Sequence, residues 1–513
     1  MTVRHLLGRL SGFFPAVLAG ALPIVFLPTA SDTYILPRAS LVIAGACLGV
    51  GLALVLADGP RLGPLRWPLL AAAGAAVLAF AFSVSWPLSL AGSYTRYESL
   101  PMRLSYLGLL ASAVWLLREQ THRDWLVAGF VFGTCVASLE GIQQWQAQVA
   151  FRPDGNLGNA NLLAALVAMA VPLAVDRARR GGAFVLAWAA AVVVLTAGWW
   201  VTTSRSGLFG IVAGCLTLAI FAVGRRLVIA TALGSLGVIA LGMVAMLASP
   251  LRALNNDPPE LRLHLWSDAL RMVAARPLTG WGEDATGLSF GHFLSRDYAS
   301  LVTFDRVHSG PLDVAATQGV LGLAALGWVL VVLFRRAWRE RSNREVGALS
   351  AALVGYTVWV LFNFDWAPAT GVFWLLAGTL WAVSSPPHSL GRSAEGRVGS
   401  RLWQPGLAVV LVVAAVILAV LPVLADVWYL RGRADLSIRA DPFQAQYHWA
   451  IGTTEELRRA AELGETEPDL YVQLGDAELQ LGNRTQARRD YQRALEIDPY
   501  FSPAAQRLRA LGP

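Results

Sequence analysis

Three short segments of the sequence combine arginine, histidine and glycine in a way that could support chemistry. The first is TTSRSGLFG, residues 202–210, in which Arg205 is flanked by serines and a glycine. The second begins at Arg262 and reads RLHLWSDALRMVAARPLTGWGED. The third reads VHSGPLDVAATQGVLG and contains His308. The small residues around Arg205 would let the backbone approach a ligand closely.

Arginine and histidine together permit one particular kind of reaction. Two guanidinium groups can hold a diphosphate through bidentate, charge-assisted hydrogen bonds. Because arginine stays protonated, it could neutralise a departing diphosphate without a metal ion. A histidine beside it could accept a proton from an acceptor hydroxyl near neutral pH. These residue types therefore suit glycosyl transfer from a lipid-diphosphate donor.

Simpler interpretations of the same residues stay open. A single arginine at the end of a membrane span is most often an interface anchor. A histidine just before a helix that begins with proline is often only a neighbour of the cap. The sequence has no His-x-x-x-His, cysteine-pair or outer-loop Asp-x-Asp spacing, so we expect neither a metal nor a cofactor. The three cysteines are scattered in apolar runs and are expected to be core residues: Cys47, Cys135 and Cys215.

These segments are embedded in long apolar runs, which predict a polytopic all-α membrane domain. The chain has 513 residues, of which 55% are hydrophobic and 15% are charged. Many runs reach the roughly 20 residues that a bilayer core requires. We predict about thirteen spans, at roughly 13–29, 38–57, 67–85, 103–117, 123–142, 160–175, 182–201, 206–222, 226–248, 311–334, 346–364, 368–384 and 404–425.

The distribution of arginines predicts the orientation of these spans. With the N-terminus inside, most loop arginines fall on the inner side, as the positive-inside rule requires. Topology therefore accounts for the net charge of +7, and we expect no nucleic-acid partner. The short outer loops hold only Arg38, Arg96, Arg103, Arg152 and Arg205.

One outer loop, at about 249–310, is long enough to contain a helix. The Asn-Asp-Pro-Pro run at 256–259 could cap and begin that helix. Apolar residues then recur at spacings of three and four, which predicts one apolar face on a helix that lies along the membrane and covers the bundle. That face would consist of Leu263, Trp266, Leu270 and Val273.

After the last span, the composition becomes that of a soluble protein. We therefore divide the chain into a membrane domain, 1–425, and an extracytoplasmic domain, 426–513. The stretch EPDLYVQLGDAELQLGNRTQARRDYQRALEIDPYFSPAAQRLRALG resembles a tetratricopeptide repeat, in which small residues let two antiparallel helices pack closely. One or two repeats are too few for a long groove, so the domain would be a small docking module for a protein partner or an acceptor.

Polar residues collect at the outer ends of the spans, and the middles of the spans are nearly free of ionisable groups. An ion-coupled transporter usually places acidic residues or histidine near the membrane midplane. The distribution therefore favours binding or chemistry at the outer leaflet over transport.

Together these residues resemble the O-antigen ligase and O-antigen polymerase superfamily of bacterial membrane glycosyltransferases. The resemblance covers about residues 10–385 and includes an outer loop with Gly92 and Arg96. The motifs occur in the family's order: SLAGSYTRYESL (89–100), GNLGNANLLA (155–164), TSRSGLFG, RLHLWSDALRMVAARPLTGWG and HSGPLDVAATQGVLG.

The resemblance implies a helical membrane enzyme that takes a glycan from undecaprenyl diphosphate without a metal. It implies that Arg205 and Arg262 bind the diphosphate and that His308 activates the acceptor hydroxyl. Arg276 is a further candidate for the diphosphate, although its Arg-Pro could instead only shape the loop. Two features depart from the family: Ser309 stands where it usually has asparagine, and the chain has an extra span that would export the repeat domain.

Several functions remain open at this point. The acceptor could be lipid A-core or another glycolipid, as for a ligase, a second lipid-linked repeat unit, as for a polymerase, or a serine or threonine of a protein. A flippase for lipid-linked sugars and a non-catalytic scaffold for envelope assembly are the alternatives from other classes. The chain would lie in the bacterial cytoplasmic membrane, in contact with membrane lipids.

Overall fold

The computed structural model of the chain describes residues 10–56, 62–150, 152–223, 259–298, 304–385 and 403–512, together with Gly8. These residues form helices joined by turns and loops, and no strand occurs among them. The predicted all-α membrane fold is therefore confirmed.

The helices of the membrane part are numbered in chain order. They are α1 (Phe14–Ile24), α2 (Ile35–Leu56), α3 (Arg66–Ala81), α4 (Trp86–Ala91), α5 (Leu100–Leu116), α6 (Gln120–Gln146), α7 (Ala160–Arg179), α8 (Val185–Thr202), α9 (Arg205–Ala222), α10 (Pro259–Ala275), α11 (Gly287–Phe290), α12 (Gly310–Arg339), α13 (Arg344–Val360), α14 (Ala367–Ser384), α15 (Trp403–Ala415) and α16 (Leu421–Leu430), with a π-helical turn at Val416–Val420 between the last two.

Apolar helices coincide with all predicted spans except the one at 226–248, which lies outside the described residues. Within the described part, nine helices are long and apolar enough to cross a bilayer. α1 and α5 are apolar but shorter. The chain is therefore a multi-pass membrane protein.

Two helices lie at the centre of the bundle. The most apolar stretch of α14 is 94% buried and that of α7 is 83% buried, whereas the last span is only 11% buried. Glycines bring α9 against α13, since a Cβ on Gly210 would lie 2.7 Å from the Gly355 carbonyl oxygen. Close approach through small residues is how membrane helices gain packing energy without a hydrophobic driving force. This contact holds α9, which carries Arg205, against the bundle.

The arginine-rich ends of the helices meet at one end of the bundle. Arg123 binds Glu345 with a nitrogen–oxygen distance of 2.8 Å, and Arg177 binds Asp124 at 2.6 Å. These pairs join α6, α7 and α13 at the end that the sequence predicts to be cytoplasmic.

α12 is broken at Gly319, which has a φ of 70°. The long loop inserts its backbone into this break. The Trp281 amide donates to the Ala316 carbonyl at 2.9 Å, and the Gly282 amide donates to the Thr317 carbonyl at 3.0 Å. In the other direction, the Val320 amide donates to the Pro277 carbonyl at 2.7 Å. A Cβ on Gly319 would overlap the Leu278 carbonyl. Irregular backbone is tolerated at a membrane helix where protein groups satisfy it in this way.

The helix predicted in the long loop is present as α10, but its predicted apolar face is wrong in part. Leu263 is 63% exposed and Leu270 is 56% exposed. The face turned toward the protein instead consists of Leu265, Ala269 and Met272, which pack with Phe290, Val307 and Ala316. The predicted cap at 256–258 lies outside the described residues.

The C-terminal residues form a compact helical module. Its helices are α17 (Ala434–Ala440), α18 (Ala445–Trp449), α19 (Thr454–Leu463), α20 (Pro468–Gln480), α21 (Arg484–Ile497) and α22 (Ser502–Leu511). α20 and α21 pack closely because Gly475 lies under the ring of Tyr491.

The module packs on the outer loops of the membrane part. Leu88 and Leu288 belong to the module's own hydrophobic cluster. Gly291 lies so close to the end of α21 that a Cβ would overlap the Ile497 carbonyl. The last membrane helix runs past the predicted boundary at 425 and ends at Leu430.

Candidate functional site

The loop between α13 and α14, residues 361–366, contacts the three segments that carry Arg205, Arg262 and His308. It reads Leu-Phe-Asn-Phe-Asp-Trp and follows α13 at the end of the bundle opposite the Arg123–Glu345 pair. The carbonyl of Phe362, the side-chain amide of Asn363 and the ring of Phe364 each contact a different element. We call this segment the 361–366 loop.

Arg205 is the first residue of α9 and follows a left-handed residue, Thr203, with a φ of 52°. Ser204 caps the helix by accepting a hydrogen bond from the Gly207 amide at 3.3 Å. On the other side, Asn363 donates to the Ser206 hydroxyl at 3.0 Å. Arg205 thus lies at the positive end of a helix dipole, a position that favours an anion.

The Gly-Asn-x-Asn segment supports this turn from α7. Asn161 accepts a hydrogen bond from the Ser204 hydroxyl at 2.9 Å and another from Arg152 at 3.0 Å. Arg152 also donates to the Thr202 carbonyl at 3.1 Å. The motif that the sequence analysis found at 155–164 therefore fixes the backbone around Arg205.

Arg262 reaches the 361–366 loop from α10. Its guanidinium donates to the Phe362 carbonyl at 2.7 Å. The ring of Phe362 lies between Phe209 of α9 and Trp266 of α10, with ring centroids 5.8 and 6.3 Å away. Phe209 is about one helical turn from Arg205, so the helix that carries Arg205 and the helix that carries Arg262 both contact the ring of Phe362.

His308 contacts the same loop from the segment before α12. Its ring lies between Phe304 and Phe364, with centroid distances of 6.4 and 5.4 Å. The backbone of His308 is left-handed, with a φ of 53°. This conformation costs energy for a residue other than glycine and persists only where neighbouring contacts enforce it.

The structure does not bring Arg276 to this loop. It follows the C-terminus of α10, roughly 20 Å along the helix axis from Arg262. Its guanidinium stacks on Trp281 at 4.5 Å and donates to the Phe82 carbonyl at 3.3 Å. These contacts support the loop that inserts into the break of α12.

Two parts of the chain match known families. Residues 189–327 match the family described as O-antigen ligase, and residues 468–501 match the tetratricopeptide repeat. The chain carries an O-antigen ligase family region. The C-terminal match covers α20 and α21, so the repeat is confirmed as well. No curated protein matches the chain significantly.

The O-antigen ligase family region contains all four predicted site residues but not the 361–366 loop. The match to this family supports, in general, the activity of a glycosyltransferase-type ligase or polymerase. Across the described residues, no group of three or more His, Cys, Asp or Glu side chains is arranged to hold a metal.

An ion pair beside His308 could not be foreseen from the sequence, which places Arg96 in a short outer loop and in a motif but gives it no partner. Arg96 binds both carboxylate oxygens of Asp305, at 2.7 and 3.2 Å, and stacks on Phe364 and Trp366 at 5.1 and 4.8 Å. Burial opposes ionisation of Asp305, but Arg96 outweighs it and lowers the pKa of this carboxyl. The signal available in the sequence was an arginine in a short outer loop next to aromatic residues.

A buried ionic cluster lies behind the site, around Arg103 of α5. Its guanidinium binds Asp365 at 2.7 Å and Glu283 at 3.1 Å, and Glu98 lies 3.7 Å away. Burial raises the pKa of Glu98 to about 8, although Arg103 acts in the opposite direction. The carboxyl of Glu98 is therefore largely protonated at neutral pH. One of its oxygens accepts a hydrogen bond from the Tyr106 hydroxyl at 2.6 Å.

Proposed function

We propose that the chain is a glycosyltransferase that moves a glycan from undecaprenyl diphosphate to an acceptor hydroxyl. The observation that carries the proposal is that Arg262, His308 and Ser206, the neighbour of Arg205, all contact the 361–366 loop. The O-antigen ligase family region supports the same class of reaction.

Arg205 and Arg262 are proposed to bind the diphosphate. Arg205 lies at a helix N-terminus, and both guanidinium groups stay protonated, so they stabilise the charge that develops on the leaving group. No metal ion is needed for this step. We leave Arg276 out of the diphosphate site because its guanidinium stacks on Trp281.

His308 is proposed to act as the general base. As the acceptor oxygen forms a bond with the anomeric carbon, the bond from that carbon to the diphosphate oxygen breaks, and the acceptor proton moves to His308. Undecaprenyl diphosphate leaves with the electron pair of the broken bond. The neighbouring ion pair between Arg96 and Asp305 would keep the segment that carries His308 in place.

The reaction is proposed to take place at the outer face of the bacterial cytoplasmic membrane. The arginine-rich helix ends meet at the opposite end of the bundle from the site, which supports a cytoplasmic N-terminus. The donor lipid would then lie among the membrane lipids with its head group at the 361–366 loop.

We retain three acceptor classes, which share this chemistry: a glycolipid such as lipid A-core, a second lipid-linked glycan and a protein hydroxyl. We favour the glycolipid, with polymerisation as the alternative. The repeat module is proposed to use its exposed surface for a protein partner or an acceptor, since helical repeats present binding surfaces.

The proposal is tested by transfer from a purified undecaprenyl-diphosphate-linked glycan in the presence of EDTA. Wild type, His308→Ala and Arg205→Ala are compared with Arg123→Ala, a matched arginine at the opposite end of the bundle. We expect wild type and Arg123→Ala to transfer the glycan. Removing the base is expected to lower the rate about 10²–10⁴-fold.

The mass of the product identifies the acceptor class. Site variants as active as wild type would show that these residues have other roles. Wild type that moves the donor lipid across the bilayer but forms no glycosidic bond with any acceptor would favour the flippase instead.

A further inference from the structure

The segment before α12 holds His308 in a backbone conformation that needs external support. The φ of His308 is 53°, in the left-handed region. Two residues earlier, Arg306 is only 1% exposed, so its guanidinium is withdrawn from water. A buried guanidinium needs hydrogen-bond acceptors, and its partners restrict where the neighbouring backbone can lie.

Arg306 has two carboxylate partners, one on each of two separate segments. It binds Asp313 in the first turn of α12 with a nitrogen–oxygen distance of 2.7 Å. It also binds Asp284, which follows the loop inserted into α12. We call these three residues the Arg306 clamp.

The arm to Asp313 closes a short loop with His308 at its tip. Arg306 precedes His308 and Asp313 follows it, so their ion pair ties the two ends of the segment together. The Asp313 amide donates to the Ser309 carbonyl at 2.7 Å, so Asp313 is held in the first turn of α12 directly after His308. The left-handed turn at His308 is thus enforced from both sides.

The arm to Asp284 anchors this loop to the outer part of the membrane domain. One oxygen of Asp284 accepts the Ser93 and Glu98 amides at 3.0 and 2.9 Å. Asp284 is itself held in place because Gly282, two residues earlier, donates to the Thr317 carbonyl of broken α12. The position of Arg306 is therefore determined by the start of α12 and by two earlier segments, which contain Asp284 and residues 93–98.

We infer that Arg306 is a positioning residue for the proposed base, acting through the backbone of His308 and not through substrate. The inference rests on the proposed function. The clamp sets the distance of the imidazole from the acceptor hydroxyl, whereas Arg205 and Arg262 hold the donor independently of it. Loss of one arm of the clamp should slow the chemical step and leave donor binding intact.

The test uses full-length Arg306→Lys, which keeps the charge but lacks the planar fork that spans two carboxylates. Arg123→Lys is the matched control, because Arg123 also pairs with a largely buried carboxylate, that of Glu345, which is 11% exposed, but lies at the opposite end of the bundle. We expect kcat to fall about 100-fold in Arg306→Lys, as for a small misplacement of a reacting group. The donor KM should stay within about twofold of wild type, since ground-state binding is untouched.

Hydrogen exchange gives a second readout that does not depend on activity. Amides of residues 304–310 should exchange faster in Arg306→Lys than in wild type, with no change there in Arg123→Lys. If Arg306→Lys does not fold, Asp313→Asn is used instead, since it removes a single arm of the clamp without changing side-chain size. For this variant too, we expect a lower kcat with a nearly unchanged donor KM, and faster exchange of the amides of residues 304–310.

The outcomes separate this inference from the proposed function. A wild-type kcat in Arg306→Lys, or a raised donor KM with unchanged kcat, overturns the positioning role while the transferase stands. Wild type that transfers nothing contradicts the proposed function, and exchange at 304–310 then decides alone whether the clamp holds this segment.

Discussion

Glu98 is completely buried, and its carboxyl lies 3.7 Å from the Arg103 guanidinium. Two carboxylates, Glu283 and Asp365, lie closer to the same guanidinium. Burial of Glu98 and the nearby charge of Asp365 outweigh the attraction of Arg103, so holding a proton on Glu98 is the less costly state. The residues behind the site thus depend on a proton as well as on ion pairs.

This protonation predicts how stability depends on pH. The pKa of Glu98 is about 8 in the folded chain, against an ordinary value of 4.5. Between these values the folded state holds a proton that the unfolded state has lost, so stability falls as pH rises. We expect the unfolding midpoint of wild type to decrease from pH 5 to pH 8, and that of Glu98→Gln to decrease less and to be higher at pH 8.

Thermal unfolding in detergent at several pH values measures this difference. Glu462→Gln is the control, because its side chain is 65% exposed and should leave the pH profile unchanged. Parallel profiles for wild type and Glu98→Gln would show that Glu98 is ionised in the folded chain.

Single elements show which parts of the fold could be predicted. Spans such as α2 and α7 were found from sequence because a bilayer requires long apolar runs. The buried face of α10 was not found from sequence, because two of the leucines assigned to it, Leu263 and Leu270, are exposed. At a membrane, apolar side chains can face lipid as readily as protein, so hydrophobic periodicity does not identify the buried side.

The candidate site was predicted only in part for a related reason. Arg205 and His308 could be found because charged residues are conspicuous between apolar runs. The ion pairs that support these residues could not be found in the same way, because pairs such as Arg103–Glu283 join positions 180 residues apart. The 361–366 loop has few ionisable groups and contributes backbone and amide contacts, which leave little signal in a sequence.

The break in α12 gives a prediction at the scale of one helix. Alanine at Gly319 would have to adopt a φ of 70° and would overlap the Leu278 carbonyl. We expect Gly319→Ala to destabilise the chain by about 1–3 kcal/mol. At Gly327 in the same helix, an added Cβ would have no neighbouring atom within 4 Å. We expect Gly327→Ala to leave the stability of the chain unchanged or to raise it by about 0.5–1 kcal/mol.

Thermal midpoints of the two variants, measured in the same detergent, test this expectation. The transfer rate should also fall in Gly319→Ala, because the loop inserted at the break leads directly to Asp284. Equal midpoints for the two variants would mean that the break is not required for the fold.

At the scale of the whole molecule, Asp426 joins the membrane part to the repeat module. Its carboxylate accepts the Asp32 amide at 2.7 Å, the Tyr94 hydroxyl at 2.8 Å and the Tyr447 hydroxyl at 3.2 Å. These donors come from the start of the chain, from an outer loop and from the module. One buried carboxylate thus sets the position of the module over the site.

Replacing Asp426 should loosen this junction. Asp426→Ala leaves the buried Asp32 amide and the buried Tyr447 hydroxyl without this acceptor, at a cost of about 1–3 kcal/mol for each donor that water cannot reach. We expect a lower unfolding midpoint and faster hydrogen exchange across 434–463. Asp435→Ala, which removes an exposed pair with Arg433, is the control and should change neither. Unchanged exchange in Asp426→Ala would mean that the module is held by its apolar contacts alone.

The packing of the module on Gly291 also imposes an order on the maturation of the chain. Ribosomes make the outer loop early, then α12 with its break, and the module last. The loop's amides find their carbonyl partners only after α12 has been inserted, and residues 285–291 are covered only after the final helices have been translocated. In a nascent chain, the long loop therefore reaches its final packing only after the last helices have been made.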